Sequence, residues 1–456
     1  MGLVYCVDFG STFTKAALVD TDTGRLVGTA SHPTTLGTDI LDGWDVLRGQ
    51  LQPLAAETDV PVLACSSAGG GLRIAVVGNE ELVTTEAGRR VALSSGGRVV
   101  HVSSDDVELA ALRDSTPDVV LLVGGTDGGN AEVLLGNATA LANAGWPGPV
   151  VVAGNGEVAD DVTARLSSAE VPFVVADNVV PQIGVLRPDS ARAAIRQMFL
   201  AHVIGGKHLS ARADFTTMVK GATPDAVLTA VELLANGLGP DHPGAGDVVV
   251  VDVGGATTDV HSVVAVDPET AGLAREVVAR VPVSRTVEGD LGMRWSAVPT
   301  VEAAQEAGLG VPAELVSAAE RRRDDPAMVP RDGAEHAEDL QIASAAVALA
   351  VRRHAGRQRV VFGPDGRLVE RSGKDLREVD LLVGSGGVLR HAAPSESAAV
   401  LAAGIGTDEE GGWLVPRDPR RIIDSDYVLA AAGLLAEHHP AAAYGLLARL
   451  MSSPGD

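Results

Sequence analysis

Residues 7–15 read VDFGSTFTK, and residues 251–259 read VDVGGATTD. Each runs an apolar strand into an aspartate, turns through glycine and leaves on hydroxyl side chains, so one structural idea occurs twice in one chain. At the end of a buried strand, Asp8 and Asp252 would each carry a charge into a costly setting unless a cation compensates. A divalent ion is the economical compensation. Mg²⁺ suits, because it takes carboxylate oxygens directly or through the waters it keeps. Gly10, Ser11, Gly254 and Gly255 let successive backbone N–H groups point at one anion. Thr12, Thr14, Thr257 and Thr258 add hydroxyl donors, and Lys15 closes the first loop with a positive charge. Two such loops facing each other would hold the phosphates of a nucleotide, with Asp8 and Asp252 at the metal. Two ordinary hairpins with glycine turns would account for either loop alone; repetition in the same register argues against that for the pair.

Composition bounds the rest. A chain of 456 residues exceeds what one hydrophobic core usually organises. Its 46% hydrophobic content includes only 3% aromatics, so Val, Leu, Ile and Ala must fill the cores, which suits α/β layers with buried parallel strands. A formal net charge of −24 argues against a nucleic-acid partner, and no block of basic residues reads as a membrane patch. Cys6 and Cys65 sit in or beside apolar runs and read as buried thiols in a reducing cytosol. The start, MGLVYCVDFG, has no basic region ahead of a long apolar stretch, and no apolar segment approaches the roughly eighteen residues of a membrane span. The expectation is a soluble, cytoplasmic protein.

Along the chain, residues 3–9 and 15–20 predict a hairpin around the first loop, with a third strand near Leu26–Ala30. From about residue 60, short apolar runs alternate with helical stretches, which predicts parallel strands with crossover helices. The expected organisation is a first half beginning at 1–58, an inserted α/β subdomain at 59–180, a helical return at 181–245, and a second half at 246–456 that repeats the hairpin and ends in two helices. A strand, VDLLVGSGG, is expected to be the last.

Other chemistries find no footing. No G-x-G-x-x-G follows the first strand, and both Gly-Lys pairs lack the Ser or Thr of a Walker loop. The histidines show no zinc spacing. The cobalamin motif D-x-H-x-x-G would need glycine at Val264, so His261 reads as a strand residue. LLVGGTDGGN, residues 121–130, is a glycine-rich loop between a strand and a helix. It reads as a structural or partner-facing loop, with anion binding at the helix N-terminus as the alternative.

VDFGSTFTK and VDVGGATTD resemble the two phosphate loops of the actin, hexokinase and heat-shock chaperone ATPase superfamily. That resemblance implies two ribonuclease-H-like halves around a nucleotide cleft, with ATP and Mg²⁺ as cofactors. The superfamily's adenosine signature is similar to LLVGSGGVLR at 381–390, which makes Gly384, Gly386 and Gly387 candidates. A closer resemblance, over most of the chain, is to the glutamate mutase accessory proteins labelled MutL or GlmL. It is carried by the two loops, by LLVGGTDGGN and above all by RTVEGDLGMR at 285–294. In the superfamily that stretch turns into a helix along the ribose, so Glu288 and Asp290 would meet the ribose or the metal's waters; a loop with Asp290 as a helix cap is the plain alternative.

One departure stands out: the superfamily's water-activating carboxylate aligns with Leu228, leaving Asp225 and Glu232 as neighbouring substitutes. Hydrolysis is therefore expected to be slow. The resemblance implies an ATP-binding chaperone or reactivating factor for an adenosylcobalamin-dependent mutase as client. A small-molecule kinase on the same fold is the alternative, and an actin-like filament protein has no positive feature in its favour.

Overall fold

The structure, a computed structural model, describes residues 2–55, 59–69, 71–206, 208–265, 282–363, 366–407 and 412–452. The chain divides into two compact units, the first built on Met1–Thr229 and Ala430–Ala443, the second on Ala230–Arg275, Pro282–Leu429 and Tyr444–Asp456.

The first unit carries β1 (Leu3–Phe9), β2 (Phe13–Asp20), β3 (Arg25–Pro33), β4 (Val62–Ser66), β5 (Leu72–Gly78), β6 (Gly97–Ser104), β7 (Val119–Leu122), β8 (Val150–Val152), β9 (Phe173–Val175) and β10 (Val219–Ala222). One sheet has the order β10-β4-β1-β2-β3. Its centre is β1, whose residues from Val4 to Phe9 are all buried, as expected of an apolar strand flanked on both sides. The helix Ile40–Leu51 covers one face, with Trp44 packed edge-on to Tyr5 at 5.3 Å between ring centroids. The sequence reading had passed over this helix. β4 falls in the segment read as the start of the inserted subdomain, yet it pairs parallel with β1, Asp8 opposite Cys65. Pairing of that kind joins strands far apart in sequence and leaves no local signature.

The other sheet of this unit is wholly parallel, in the order β6-β5-β7-β8-β9. Alternate residues face opposite sides. Ile74 and Val76 join the core that includes Ala87, Val91 and Ile195, whereas Ala75 and Val77 join Leu112, Leu134 and Val162. Helices thus cover both faces, as the alternating pattern predicted.

The second unit carries β11 (Gly237–Gly239), β12 (His242–Pro243), β13 (Val248–Val253), β14 (Thr258–Val263), β15 (Val283–Glu288), β16 (Arg357–Gly363), β17 (Gly366–Ser372), β18 (Leu381–Ser385) and β19 (Arg420–Ile423). Its main sheet runs β19-β18-β13-β14-β15. This is the first unit's β10-β4-β1-β2-β3 over again, with three antiparallel strands and then two parallel ones. The register repeats as well: Asp8 pairs with Lys15 as Asp252 pairs with Asp259. The fold is therefore α/β, built from two ribonuclease-H-like halves with an α/β sheet inserted in the first. β18 is not the last strand, since β19 follows it in parallel. The 22-residue helix Gly333–His354 packs Ile342, Val347 and Leu349 into this unit's core.

Candidate functional site

Both aspartates stand at the ends of their central strands, and the turns that follow are built alike. A Cβ on Gly10 would lie 2.6 Å from the Phe13 carbonyl oxygen, and one on Gly254 would lie 2.8 Å from that of Thr257. A side chain at either position would open the turn, so both glycines serve the hairpin itself.

In the first loop, Thr34 ties down the carbonyls. Its Oγ1 donates to Gly10 O at 2.8 Å and its N–H to Thr12 O at 2.9 Å. In the second, Met293 N donates to Gly254 O (2.9 Å), Arg294 N to Gly255 O (2.8 Å) and Ser296 Oγ to Ala256 O (2.6 Å). A trans peptide points its C=O and the next N–H in opposite directions. Holding these carbonyls on one side therefore turns the N–H groups of Ser11 and Phe13, and of Gly255, Ala256 and Thr257, to the other. Successive N–H groups presented by a turn in this way are able to bind an anion.

Asp8 is buried, with 4% exposure, and is held from three directions: Thr223 Oγ1 donates to Oδ1 at 2.5 Å, Lys15 Nζ lies 3.8 Å from Oδ2, and Cys65 Sγ lies 3.8 Å from Oδ1. Burial and the neighbouring Asp8 charge push the Cys65 thiol well above its usual range, so it stays protonated. Thr14 is fully buried and shares a hydrogen bond with Thr34 Oγ1 (3.2 Å); it braces the loop from within. Ser11 is exposed and Thr12 half-buried.

In the second unit, Asp252 has a carboxylate neighbour that the sequence reading missed. Asp424 follows β19 and is 1% exposed. Burial, reinforced by the charge of Asp252, raises it to about 6, although the backbone N–H groups of Val428 and Leu429 donate to it at 2.7 and 3.2 Å. Thr257 Oγ1 donates to Asp259 (3.2 Å), which is ion-paired to Arg285 (2.6 Å). Thr258 Oγ1 is buried and has no partner among the described residues.

RTVEGDLGMR splits between two tasks. Its second part is packed onto the loop, where a Cβ on Gly292 would lie 2.8 Å from Gly255 O. Arg294 continues inward to Asp339 (3.1 Å), and Asp339 to the fully buried Arg322 (2.5 Å). Glu288 and Asp290, expected to meet a ribose or a metal's waters, are instead bridged by Arg353, at 2.9 and 2.6 Å. Burial raises Glu288, while the Arg353 hydrogen bond lowers Asp290. Of the three adenosine-signature glycines, Gly384 lies inside β18, where a Cβ would press on Leu389 and Ile423 at 2.9 Å; its role is packing. Gly386 has φ +108°, and a Cβ there would collide with Val253 O, which places the turn against the end of β13. Gly387 faces open space.

Thr223 and Asp424 had a signal. TPDAVLTAVELL at 223–234 and DSDYVLAAAGLL at 424–435 align residue for residue, each following the outer parallel strand of its sheet. Thr34 had none, being one threonine among many. Asp225, a substitute considered for the catalytic base, is 4% exposed and ion-paired to Arg196 at 2.6 Å.

The family model described as "MutL protein" matches residues 4–451. The chain belongs to the MutL family. Protein MutL of Clostridium tetanomorphum is 38% identical over 447 residues, covering 95% of this chain and 96% of its own. Among solved structures, the MutL-family chain is similar to xylulose kinase from Lactobacillus acidophilus (TM-score 0.35, 11% identity, 100% and 93% of the two chains covered). It is also similar to the activator of 2-hydroxyisocaproyl-CoA dehydratase from Clostridium difficile with bound ADPNP (TM-score 0.31, 10% identity, 99% and 96% covered). The duplicated strand order of this MutL-family chain, rather than those likenesses, carries its fold assignment. None of its described helices is long and apolar enough to cross a membrane.

Proposed function

We propose that this protein is an ATP-binding accessory factor that assists or reactivates an adenosylcobalamin-dependent mutase, of the glutamate mutase or aminomutase kind. The observation that carries the nucleotide part is the duplicated turn, with its aspartate at a strand end and its carbonyls tied back so that N–H groups face one way. Membership of the MutL family supports the accessory role.

The donor set fits Mg²⁺, which prefers carboxylate oxygens and completes its shell with phosphate and water. Asp8 in the first unit and Asp252 in the second are the carboxylates that would serve Mg²⁺, which when bound neutralises phosphate charge. The chain's own groups do the rest. The N–H rows bind phosphate oxygens, Thr12 and the Thr258 hydroxyl, which has no partner among the described residues, add donors, and Lys15 adds charge. Gly387, with open space beside it, leaves backbone open to the adenosine, and Gly386 shapes the turn that presents it. With Asp225 committed to Arg196, hydrolysis is slow, and the bound state rather than turnover is the signal.

Mg²⁺ with ATP should raise the melting temperature, since a ligand of the folded state stabilises it by mass action. Asp8→Ala or Asp252→Ala should remove the Mg²⁺ dependence of that rise; two variants that respond like the parent would sink the metal assignment. For the client, release of spent cobalamin from a damaged mutase only when ATP is present supports the reading. Stoichiometric phosphorylation of a sugar or carboxylic acid overturns it in favour of a kinase.

A further inference from the structure

The three five-stranded sheets end in edge strands. An edge offers unpaired N–H and C=O groups to another chain, and proteins blunt it by keeping it short, charging it or ending it on proline. β9, β10 and β19 are three or four residues long, β15 carries Arg285 and Glu288, and β3 ends on Pro33. β6 is different. Its eight residues, GRVVHVSS, hold no proline and no carboxylate, and Arg98 is their one permanent charge. A bulge at Val100, the extra residue between the Ile74–Val99 and Ala75–His101 pairs, adds twist but leaves the outer edge open. Val99, Val100 and His101 are half-buried, and Val102 is 45% exposed. No described strand pairs with the outer side.

What suits this edge is set by charge. Arg98 near its start and Asp105 just past its end are both exposed. A second copy of β6, antiparallel across a two-fold axis at the strand's midpoint, would bring Arg98 opposite Ser103 and one diagonal step from Asp105 of the other copy, within reach of a long side chain. The two-fold makes that pair twice. Val99 would face Val102, so apolar meets apolar, and no like charges are opposed. A parallel second copy in register would instead set Arg98 against Arg98. Elsewhere a formal net charge of −24 opposes self-association, whereas residues 97–104 carry one positive and no negative side chain.

We propose that β6 is a self-association surface through which two copies of this chain pair antiparallel, joining their inserted sheets edge to edge. One strand pair buries less than a standard interface, so the dimer forms and dissociates in the micromolar range. Sedimentation of the full chain over that range should show monomer giving way to dimer, with or without ATP, and hydrogen exchange should slow in 98–104 as the dimer fills. Arg98→Glu and Asp105→Lys each turn two attractive pairs into two repulsive ones, and should weaken the dimer about tenfold or more. Mixing these two variants one to one restores both attractive pairs, and should return the affinity to within about threefold of the parent. Val102→Lys, a charge on an exposed edge side chain, should abolish the dimer without altering the thermal melt. A parent that stays monomeric, slowed exchange only outside 98–104, single variants that dimerise like the parent, or variants that melt like the parent yet fail to pair when mixed would each overturn the proposal.

Discussion

Thr223 Oγ1 donates to Asp8 Oδ1 across 2.5 Å, joining residues 215 apart in sequence. Both are buried, so the hydroxyl is part of what makes a carboxylate tolerable at the end of β1. Thr223→Val should therefore lower stability by about 1.5–3 kcal/mol, the range for a hydrogen bond to a charged group, and Thr223→Ser should restore most of it. Denaturant unfolding of the three proteins decides this. Equal stability of the Val and Ser variants would show the hydroxyl to be unimportant.

Thr34 should matter more for anions than for folding. Removing its hydroxyl in Thr34→Val frees the Gly10 carbonyl and loosens the adjoining N–H row, while the Thr34 N–H still holds Thr12. Stability should fall by about 1 kcal/mol. Calorimetry should show a larger fractional loss for ATP than for adenosine, because only the phosphates meet those N–H groups. Equal losses for the two ligands would remove Thr34 from the phosphate site.

Gly386 and Gly387 are neighbours with opposite tolerances. Gly386→Ala meets both a positive φ and the Val253 carbonyl, and should destabilise the second unit by several kcal/mol. Gly387→Ala has no neighbour within 4 Å, and should change stability by less than about 0.5 kcal/mol. Thermal melts compare them directly. If Gly387→Ala nevertheless weakens adenosine binding, the adenosine assignment gains support.

Two buried histidines make the second unit sensitive to acid. Burial, helped by the Arg285 charge, lowers His261 to about 3 from an ordinary 6.5. Burial also holds His354 well below its usual range, with Thr286 Oγ1 and Ser262 Oγ at 2.9 and 2.8 Å from its ring nitrogens. Between pH 6.5 and about 3 the unfolded chain takes up protons that the folded one refuses, so stability falls as pH falls through that window. His261→Gln should flatten the slope of stability against pH there. An unchanged slope would mean that His261 titrates in the folded state.

What the sequence determined by itself was the repeated strand, aspartate, glycine and threonine pattern, and with it the two hairpins. These are local facts. A strand's alternation and a glycine's fit under a carbonyl three residues on are decided within a dozen positions, so Asp8 with Gly10 and Asp252 with Gly254 were legible. So too was the alternation that produced the inserted parallel sheet. The tertiary structure alone decided which groups serve those loops. Thr34 reaches Gly10 across 24 positions and Thr223 reaches Asp8 across 215, and Asp424 comes beside Asp252 only because β19 lines up next to β18. The same holds for two further pairings. β4 joins β1, and Arg353 claims Glu288 and Asp290, through pairings between distant segments. Hydrogen bonds and ion pairs of that reach depend on the whole packed chain, and no short stretch of residues encodes them.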